Sequence, residues 1–174
     1  MTIRLTRRSA LYLLGATLSA PILSACGFQP LYGTTAAGTS VGDAMAAIDI
    51  APIPGRVGQQ VRNELIFKTT GGGLAAPPRF NLDIAIRESA RNMLVQLDGN
   101  SNGVMYSLDA DFKLVRVADK ETLLNAKASS QAAFQKVESI FANIRARRDA
   151  EDRAARVLAD SIRTRVAAFL STTT

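Results

Sequence analysis

Three segments of the chain alternate apolar and polar residues, and this pattern constrains the fold more than any other feature of the sequence. The first run extends from Phe80 to Arg87, the second from Val104 to Leu114 and the third from Leu124 to Gln135. Successive side chains of a strand point to opposite faces of its sheet, so each run has one apolar face to bury. Turn-forming residues separate the runs at 98–103 and 119–122. The pattern therefore predicts an antiparallel sheet with one polar face.

Two other segments have the helical period. In residues 56–70, Val57, Val61 and Leu65 recur every four positions, and Gly71–Gly73 predicts the end of that helix. A second helix is predicted over residues 144–170, where the apolar positions are Ala155, Leu158, Ile162, Val166, Phe169 and Leu170. Asp149 and Arg153 form a helix-supporting pair on its polar side.

A short strand is predicted at Ala46–Ala51, because Ile48 and Ile50 share one face and Pro52 follows. The order is then strand, helix, three strands and helix. Two amphipathic helices can cover the apolar face of one sheet. We therefore predict an α+β fold: a two-layer sandwich of about four mostly antiparallel strands with two helices packed on one face.

The composition excludes several kinds of catalytic and metal site. The chain has no histidine and a single cysteine, which removes the usual general base near neutral pH, cysteine-cluster zinc sites and intrachain disulfides. It has no Gly-x-Ser-x-Gly turn. Asp109 and Asp111 share one strand face, but no glycine-bearing calcium loop surrounds them, so we interpret them as solvated. We expect neither an enzyme nor a bound cofactor or metal.

Residues 1–25 have the layout of an export signal. Arg4, Arg7 and Arg8 form a basic start, an apolar run extends from Leu11 to Ile22, and small residues follow. The apolar run is too short to span the hydrocarbon core comfortably. The arginines fit both ordinary export and, in part, the twin-arginine pattern, so the route stays open. Removing this segment leaves a mildly basic chain, and we expect no nucleic-acid partner.

Cys26 ends the segment Leu23-Ser24-Ala25-Cys26, which resembles the lipobox of bacterial lipoproteins. In that class the cysteine is acylated and becomes the mature N-terminus, and several acyl chains together hold a protein firmly at a membrane. We therefore predict lipidation of Cys26. The predicted organisation is a signal peptide at 1–25, a lipidated N-terminus and tether at 26–45, a folded domain at 46–171 and a tail at 172–174.

Three segments carry a resemblance that covers essentially the whole mature chain. They are Cys26–Gly33, Ile48–Leu65 and Arg148–Arg156. In combination they resemble the lipopolysaccharide-assembly outer-membrane lipoprotein family LptE, most of all its alphaproteobacterial branch. Glycine, and not aspartate, follows Cys26, which resembles lipoproteins sorted to the outer membrane.

The resemblance implies a protein that is not an enzyme. Members of that family plug the lumen of the outer-membrane β-barrel LptD, help it assemble and help deliver lipopolysaccharide, which they have also been described as binding. The implied location is the outer membrane, lipid-anchored and facing the periplasm. The alternative is a lipid-binding envelope lipoprotein of another lipid-transport system that acts without a barrel partner.

The candidate ligand-binding residues are cations on the polar sheet face. A turn centred on residue 100 places Arg87 opposite Lys113, and one centred on Lys120 places Lys127 opposite Lys113. We predict that these three residues, with Arg91 near the end of the same strand, contact lipopolysaccharide phosphates or the barrel wall. The alternative is that they are solvated charges balanced by nearby aspartates, which are Asp83, Asp109 and Asp111.

The segment Met93–Gly103 is the last candidate. Its apolar residues Met93, Leu94, Val95 and Leu97 stand beside Asn100 and Asn102. It is either an insertion point for a partner or a continuation of the two flanking strands.

Overall fold

The computed structural model of the chain describes residues 40–74, 76–93 and 102–173. The predicted signal peptide, Cys26 and most of the tether therefore lie outside the described residues. The elements, in chain order, are α1 (Val41–Ala46), β1 (Ile48–Ile50), α2 (Gly55–Thr70), β2 (Phe80–Asn92), β3 (Gly103–Arg116), β4 (Thr122–Gln135) and α3 (Ile140–Thr173).

The four strands form one sheet in the order β1-β2-β3-β4. β1 pairs with β2 in parallel through Ile48–Phe80 and Ile50–Leu82, whereas the other two pairs are antiparallel. The parallel pair requires a crossover, and α2 provides it. The predicted α+β fold with a mostly antiparallel sheet is confirmed.

The hydrophobic core lies on the even-numbered face of β2, β3 and β4, under α2 and α3. Phe112, Leu108 and Leu114 of β3 are 0% exposed, as are Leu65 of α2 and Leu158 of α3. The odd-numbered residues of the same strands are mostly exposed or half-buried, as the alternation predicts. One sheet face therefore supports the helices, and the opposite face, which we call the outer face, remains polar.

Residues 41–45 differ from the prediction, because they were expected to belong to a tether and instead form most of α1. Val41, Ala44 and Met45 of this six-residue helix are buried in the core. Their spacing of three and four positions places them on one helix side. The small polar residues around them hid this apolar pattern in the sequence.

The end of α2 agrees with the prediction, whereas α3 is longer than predicted. Gly71 directly follows α2; its φ of 62° is left-handed, and its N–H donates to the carbonyl of Phe67. α3 begins at Ile140, before the predicted Ile144, and continues to Thr173. Within the described part of the chain, no helix is both long and apolar enough to cross a bilayer.

Candidate functional site

The outer face brings two of the predicted cations to one carboxylate. Asp111 of β3 accepts an ion pair of 2.9 Å from Arg87 of β2 and one of 3.4 Å from Lys127 of β4. The Arg87 and Lys127 side chains are 68% and 81% exposed, whereas that of Asp111 is 32% exposed. The structure therefore assembles a charge triplet, Arg87–Asp111–Lys127, across three neighbouring strands.

The predicted register of this site is wrong, although the predicted face is right. Arg87 lies opposite Asp109, and Lys113 lies opposite Asp83. Lys127 lies opposite Asp111, and not opposite Lys113. β2 reaches Asn92, which pairs with Val104 of β3, and the pairing of the two strands is shifted by four residues from the predicted one. Both shifts are even, so the side chains stay on the outer face.

The two partners of Asp111 favour the charged form of its carboxylate. Desolvation raises the pKa of this carboxyl, but the hydrogen bonds and charges of Lys127 and Arg87 outweigh it and lower the pKa below its usual value. Two positive charges thus share one negative charge, which leaves a net positive triplet. Arg165 of α3 lines the same shallow depression beside the edge strand β4, a position that no strand or helix pattern connects with the outer face.

The remaining predicted residues lie apart from the triplet. Lys113 is on the outer face opposite Asp83, and Arg91 is opposite Met105 near the end of β2. Met93 follows β2 and is 46% exposed, whereas residues 94–101 of the candidate insertion segment lie outside the described residues. Across the residues that the structure describes, no group of three or more carboxylate or cysteine side chains could hold a metal ion.

A cleft at the start of α3 is a feature that the sequence analysis missed. It has a volume of about 380 Å³ and opens between the first turns of α3 and the ends of β2, β3 and β4. Its lining residues are Ala90, Asn92, Val104, Phe134, Lys136, Ile140, Asn143, Ile144 and Arg147. The signal for it in the sequence is Ile140, which precedes the predicted start of the helix.

Asn143 fixes the connection between β4 and α3 beside this cleft. Its side-chain oxygen accepts a 2.8 Å hydrogen bond from the N–H of Val137, and its amide nitrogen donates a 2.8 Å bond to the carbonyl of Val137. Both polar atoms of the Asn143 side chain are therefore engaged within the chain. Lys136 and Arg147 provide the charged groups of the cleft.

An ion-pair network joins α2 to α3 and reaches the cleft through Arg147. The guanidinium of Arg56 donates hydrogen bonds to Glu151 and, at 2.8 Å, to Asp152, and these two bonds raise its pKa. Arg147 donates a 2.9 Å bond to the same Glu151. Lys68, near the end of α2, pairs with Asp160 at 2.6 Å. These charges hold the two helices in register, which indicates a structural role.

The family model for lipopolysaccharide assembly, LptE, matches residues 45–166, which include every element from β1 through most of α3. The fold and this match define a lipopolysaccharide-assembly protein. The chain belongs to the LptE family, and the resemblance seen in its sequence is confirmed. A search of the curated proteins found no match to this sequence.

Solved structures share the fold at low sequence identity. A candidate lipoprotein from Caulobacter crescentus CB15 superposes with a TM-score of 0.62 at 18% identity, covering 75% of this chain and 96% of that one. Rare lipoprotein B from Shewanella oneidensis superposes with a TM-score of 0.51 at 12% identity, covering 73% of this chain and 93% of that one. These similarities concern the fold.

Proposed function

We propose that the protein is an outer-membrane lipoprotein that plugs the LptD β-barrel, assists its assembly and takes part in lipopolysaccharide transport to the outer membrane. Acyl chains on Cys26 would hold it at the membrane, facing the periplasm, and it would have no catalytic role. The observation that carries this proposal is the match of the lipopolysaccharide-assembly family to residues 45–166.

The polar outer face supports a place inside a barrel. The lumen of an outer-membrane barrel is polar, so a plug needs a hydrophilic surface that remains after its own core is formed. The outer face meets this requirement with exposed charged residues on three adjacent strands, among them Asp83, Arg87, Asp109 and Lys127.

Co-purification tests the barrel partnership. The full chain, with a tag after Thr174, would be extracted in detergent and captured, and we expect one large heat-modifiable barrel to be captured with it. A lipoprotein that is captured alone with bound lipid would contradict the plug and favour a lipid-transport role without a barrel. A Cys26→Ala variant is the companion measurement. If this variant leaves the membrane only in cells that lack the barrel, then the acyl chains and the barrel each hold the protein at the membrane.

We also propose that the outer-face cations Arg87, Arg91, Lys113 and Lys127 contact lipopolysaccharide phosphates. Asp111 opposes this role, because it already pairs with Arg87 and Lys127. Removing its charge would free both cations for a phosphate. Replacement of Arg87, Lys113 and Lys127 by alanine should therefore weaken binding to purified lipopolysaccharide, and Asp111→Asn should strengthen it.

Asp109→Asn is the matched control, because Asp109 lies two residues away on the same strand and outer face but forms no ion pair with the cations. It removes the same charge without releasing a partner. If Asp111→Asn and Asp109→Asn change binding equally, the effect comes from net charge alone. If the alanine variant binds lipopolysaccharide as tightly as the wild type, the outer-face contact is excluded.

A further inference from the structure

The first turns of α3 stand away from the sheet. Ile140 is 79% exposed and Ile144 is 48% exposed, whereas Ala150 and Ala154 further along the same helix are 0% exposed. The helix thus packs on the sheet from about Ala150 onward. Before that point it leaves a cleft of about 380 Å³, within the range of about 300–1,000 Å³ that is typical of ligand-binding clefts.

The walls of this cleft are largely apolar and come from four elements. Ala90, Val104 and Phe134 contribute from β2, β3 and β4, and Ile140 and Ile144 face them from α3. Val104 is only 3% exposed, so the floor belongs to the core. An apolar chain placed here would remove the exposed sides of both isoleucines from water.

The charged groups at this cleft are cations. Lys136 and Arg147 line it, and none of the lining residues that the structure describes is acidic. Arg147 also donates its Nε–H to Glu151 at 2.9 Å, so Lys136 is the cation of the two that has no carboxylate partner among the described residues. The chain from Lys136 to Arg148 carries four basic side chains, Lys136, Arg145, Arg147 and Arg148, against the single acid Glu138. An apolar cleft with a cationic margin complements a molecule that has an apolar chain next to an anionic group. An acidic peptide without an apolar chain would pair with the cations but leave Ile140 and Ile144 exposed.

We propose that this cleft binds one acyl chain of lipopolysaccharide, whose neighbouring phosphate contacts Lys136 and Arg147. The choice of lipopolysaccharide rests on the proposed function, whereas the shape and charge of the cleft require only an acyl chain beside a phosphate. This contact is separate from the outer-face cations, since Ala90 and Val104 point to the opposite side of the sheet from Arg87 and Lys127.

Filling the cleft tests the proposal. Ala90→Phe would occupy the space without removing any existing contact, because Ala90 is exposed. Ala168→Phe is the matched control, since it makes the same change at an exposed position of α3 that lines neither the cleft nor the charge triplet. With the full acylated protein in detergent, we expect Ala90→Phe to weaken lipopolysaccharide binding by about tenfold or more, because the buried chain loses several methylene contacts. Ala168→Phe should bind like the wild type.

A second pair of variants removes apolar wall instead of adding volume. Ile144→Ser changes a half-exposed cleft residue, and Val157→Ser makes an equivalent change at a position of α3 that is 53% exposed and does not line the cleft. Neither residue is buried in the core, so both variants should fold. We expect weaker lipopolysaccharide binding for Ile144→Ser only, and no difference between the two variants toward deacylated lipopolysaccharide.

The outcomes separate this inference from the proposed function. Wild-type affinity for lipopolysaccharide in Ala90→Phe and in Ile144→Ser would overturn the cleft and leave the barrel and the outer-face contact standing. Binding of phosphatidylglycerol micelles but not of lipopolysaccharide, lost in both variants, would overturn the choice of lipid. Failure to capture the barrel, with cleft-dependent lipopolysaccharide binding intact, would overturn the plug and support the cleft.

Discussion

The hydroxyl of Tyr106 on β3 donates a 2.5 Å hydrogen bond to the carboxylate of Glu88 on β2. The tyrosine is 1% exposed, whereas Glu88 lies at the exposed end of the core face. Burial, followed by the hydrogen bond and negative charge of Glu88, raises the pKa of the Tyr106 hydroxyl far above its ordinary value. This residue therefore keeps its proton in the folded chain when an unfolded tyrosine would lose it.

The first prediction follows from this difference in proton binding. Above about pH 10 the unfolded state releases the tyrosine proton and the native state retains it, so stability falls as pH rises, by up to about 1.4 kcal/mol per pH unit. Tyr106→Phe should remove this part of the alkaline loss. Near pH 7 it should lower the free energy of unfolding by about 0.5–1.5 kcal/mol, because the hydrogen bond is lost. Urea unfolding of the wild type and Tyr106→Phe between pH 7 and 11 measures how the free energy of unfolding of each changes with pH. If the two proteins lose stability in parallel above pH 10, Tyr106 does not retain its proton in the folded chain.

Gly58 carries the second prediction, because it permits close packing inside α2. A Cβ at this position would lie 2.6 Å from Cγ2 of Ile53 and 3.0 Å from the carbonyl oxygen of Ile53. A backbone atom cannot move aside as a side chain can, so Gly58→Ala must displace the segment between β1 and α2. We expect a loss of about 1–3 kcal/mol in the free energy of unfolding.

The control for this change is Gln59→Ala, on the exposed side of the same helix turn. It should alter stability by less than about 0.5 kcal/mol. Denaturant midpoints of the two variants give the comparison. Equal stability of Gly58→Ala and the wild type would show that the approach of Ile53 to α2 is not close in solution.

The alternation of apolar and polar residues along the strands explains how much of the fold could be predicted. Phe80, Leu82 and Ile84 identify the buried face whatever the register, because an even shift leaves each side chain on its own face. The register itself depends on where the chain turns, and residues 98–103 offer several turn formers in a row. The parallel pairing of β1 was also beyond the pattern, since Ile48 and Ile50 would alternate identically in either direction.

The shape of the cleft was beyond sequence reasoning for a different reason, although its residue Ile140 was visible ahead of the predicted helix. Ile140 and Ile144 have the same apolar character as Leu158 and Ile162, which are fully buried on the same helix. Periodicity shows which side of a helix is apolar, but it does not show where the helix leaves the sheet. The charge triplet was only half predictable: the outer face followed from alternation, whereas the partnership of Arg87 and Lys127 with Asp111 depends on register.

Arg56 carries the third prediction, through its contacts from α2 to Glu151 and Asp152 of α3. The side chain of Glu151 is only 11% exposed, so loss of Arg56 would leave a largely desolvated carboxylate with Arg147 as its remaining partner. We expect Arg56→Ala to lower the free energy of unfolding by about 1–3 kcal/mol. Urea unfolding with and without added salt measures the loss.

Arg116→Ala is the comparison for this variant. Arg116 also pairs with two carboxylates, Asp119 and Glu121, but all three side chains are well exposed. Exposed pairs contribute about 0–1 kcal/mol and weaken with salt. If the two alanine variants lose equal stability, burial of Glu151 does not strengthen the link between α2 and α3.

The fourth prediction concerns the close packing of α3 on β4. The hydroxyl of Ser130 donates a buried 2.8 Å hydrogen bond to the carbonyl of Ala154, and Arg153 donates to the carbonyl of Ala133. A helix backbone within hydrogen-bond reach of a strand side chain leaves no room for a large residue at the contact. Ala154 is 0% exposed, so Ala154→Leu should lower the free energy of unfolding by about 1–3 kcal/mol or more through overpacking.

Ala168→Leu makes the same change at an exposed position of α3, where it should shift stability by less than about 0.5 kcal/mol because leucine and alanine both favour helix. Ser130→Ala should lose about 1 kcal/mol, whereas Ser129→Ala on the outer face should lose little. Thermal and urea unfolding of the four variants test the packing. Tolerance of leucine at Ala154 would mean that α3 lies further from β4 than the Ser130 hydrogen bond requires.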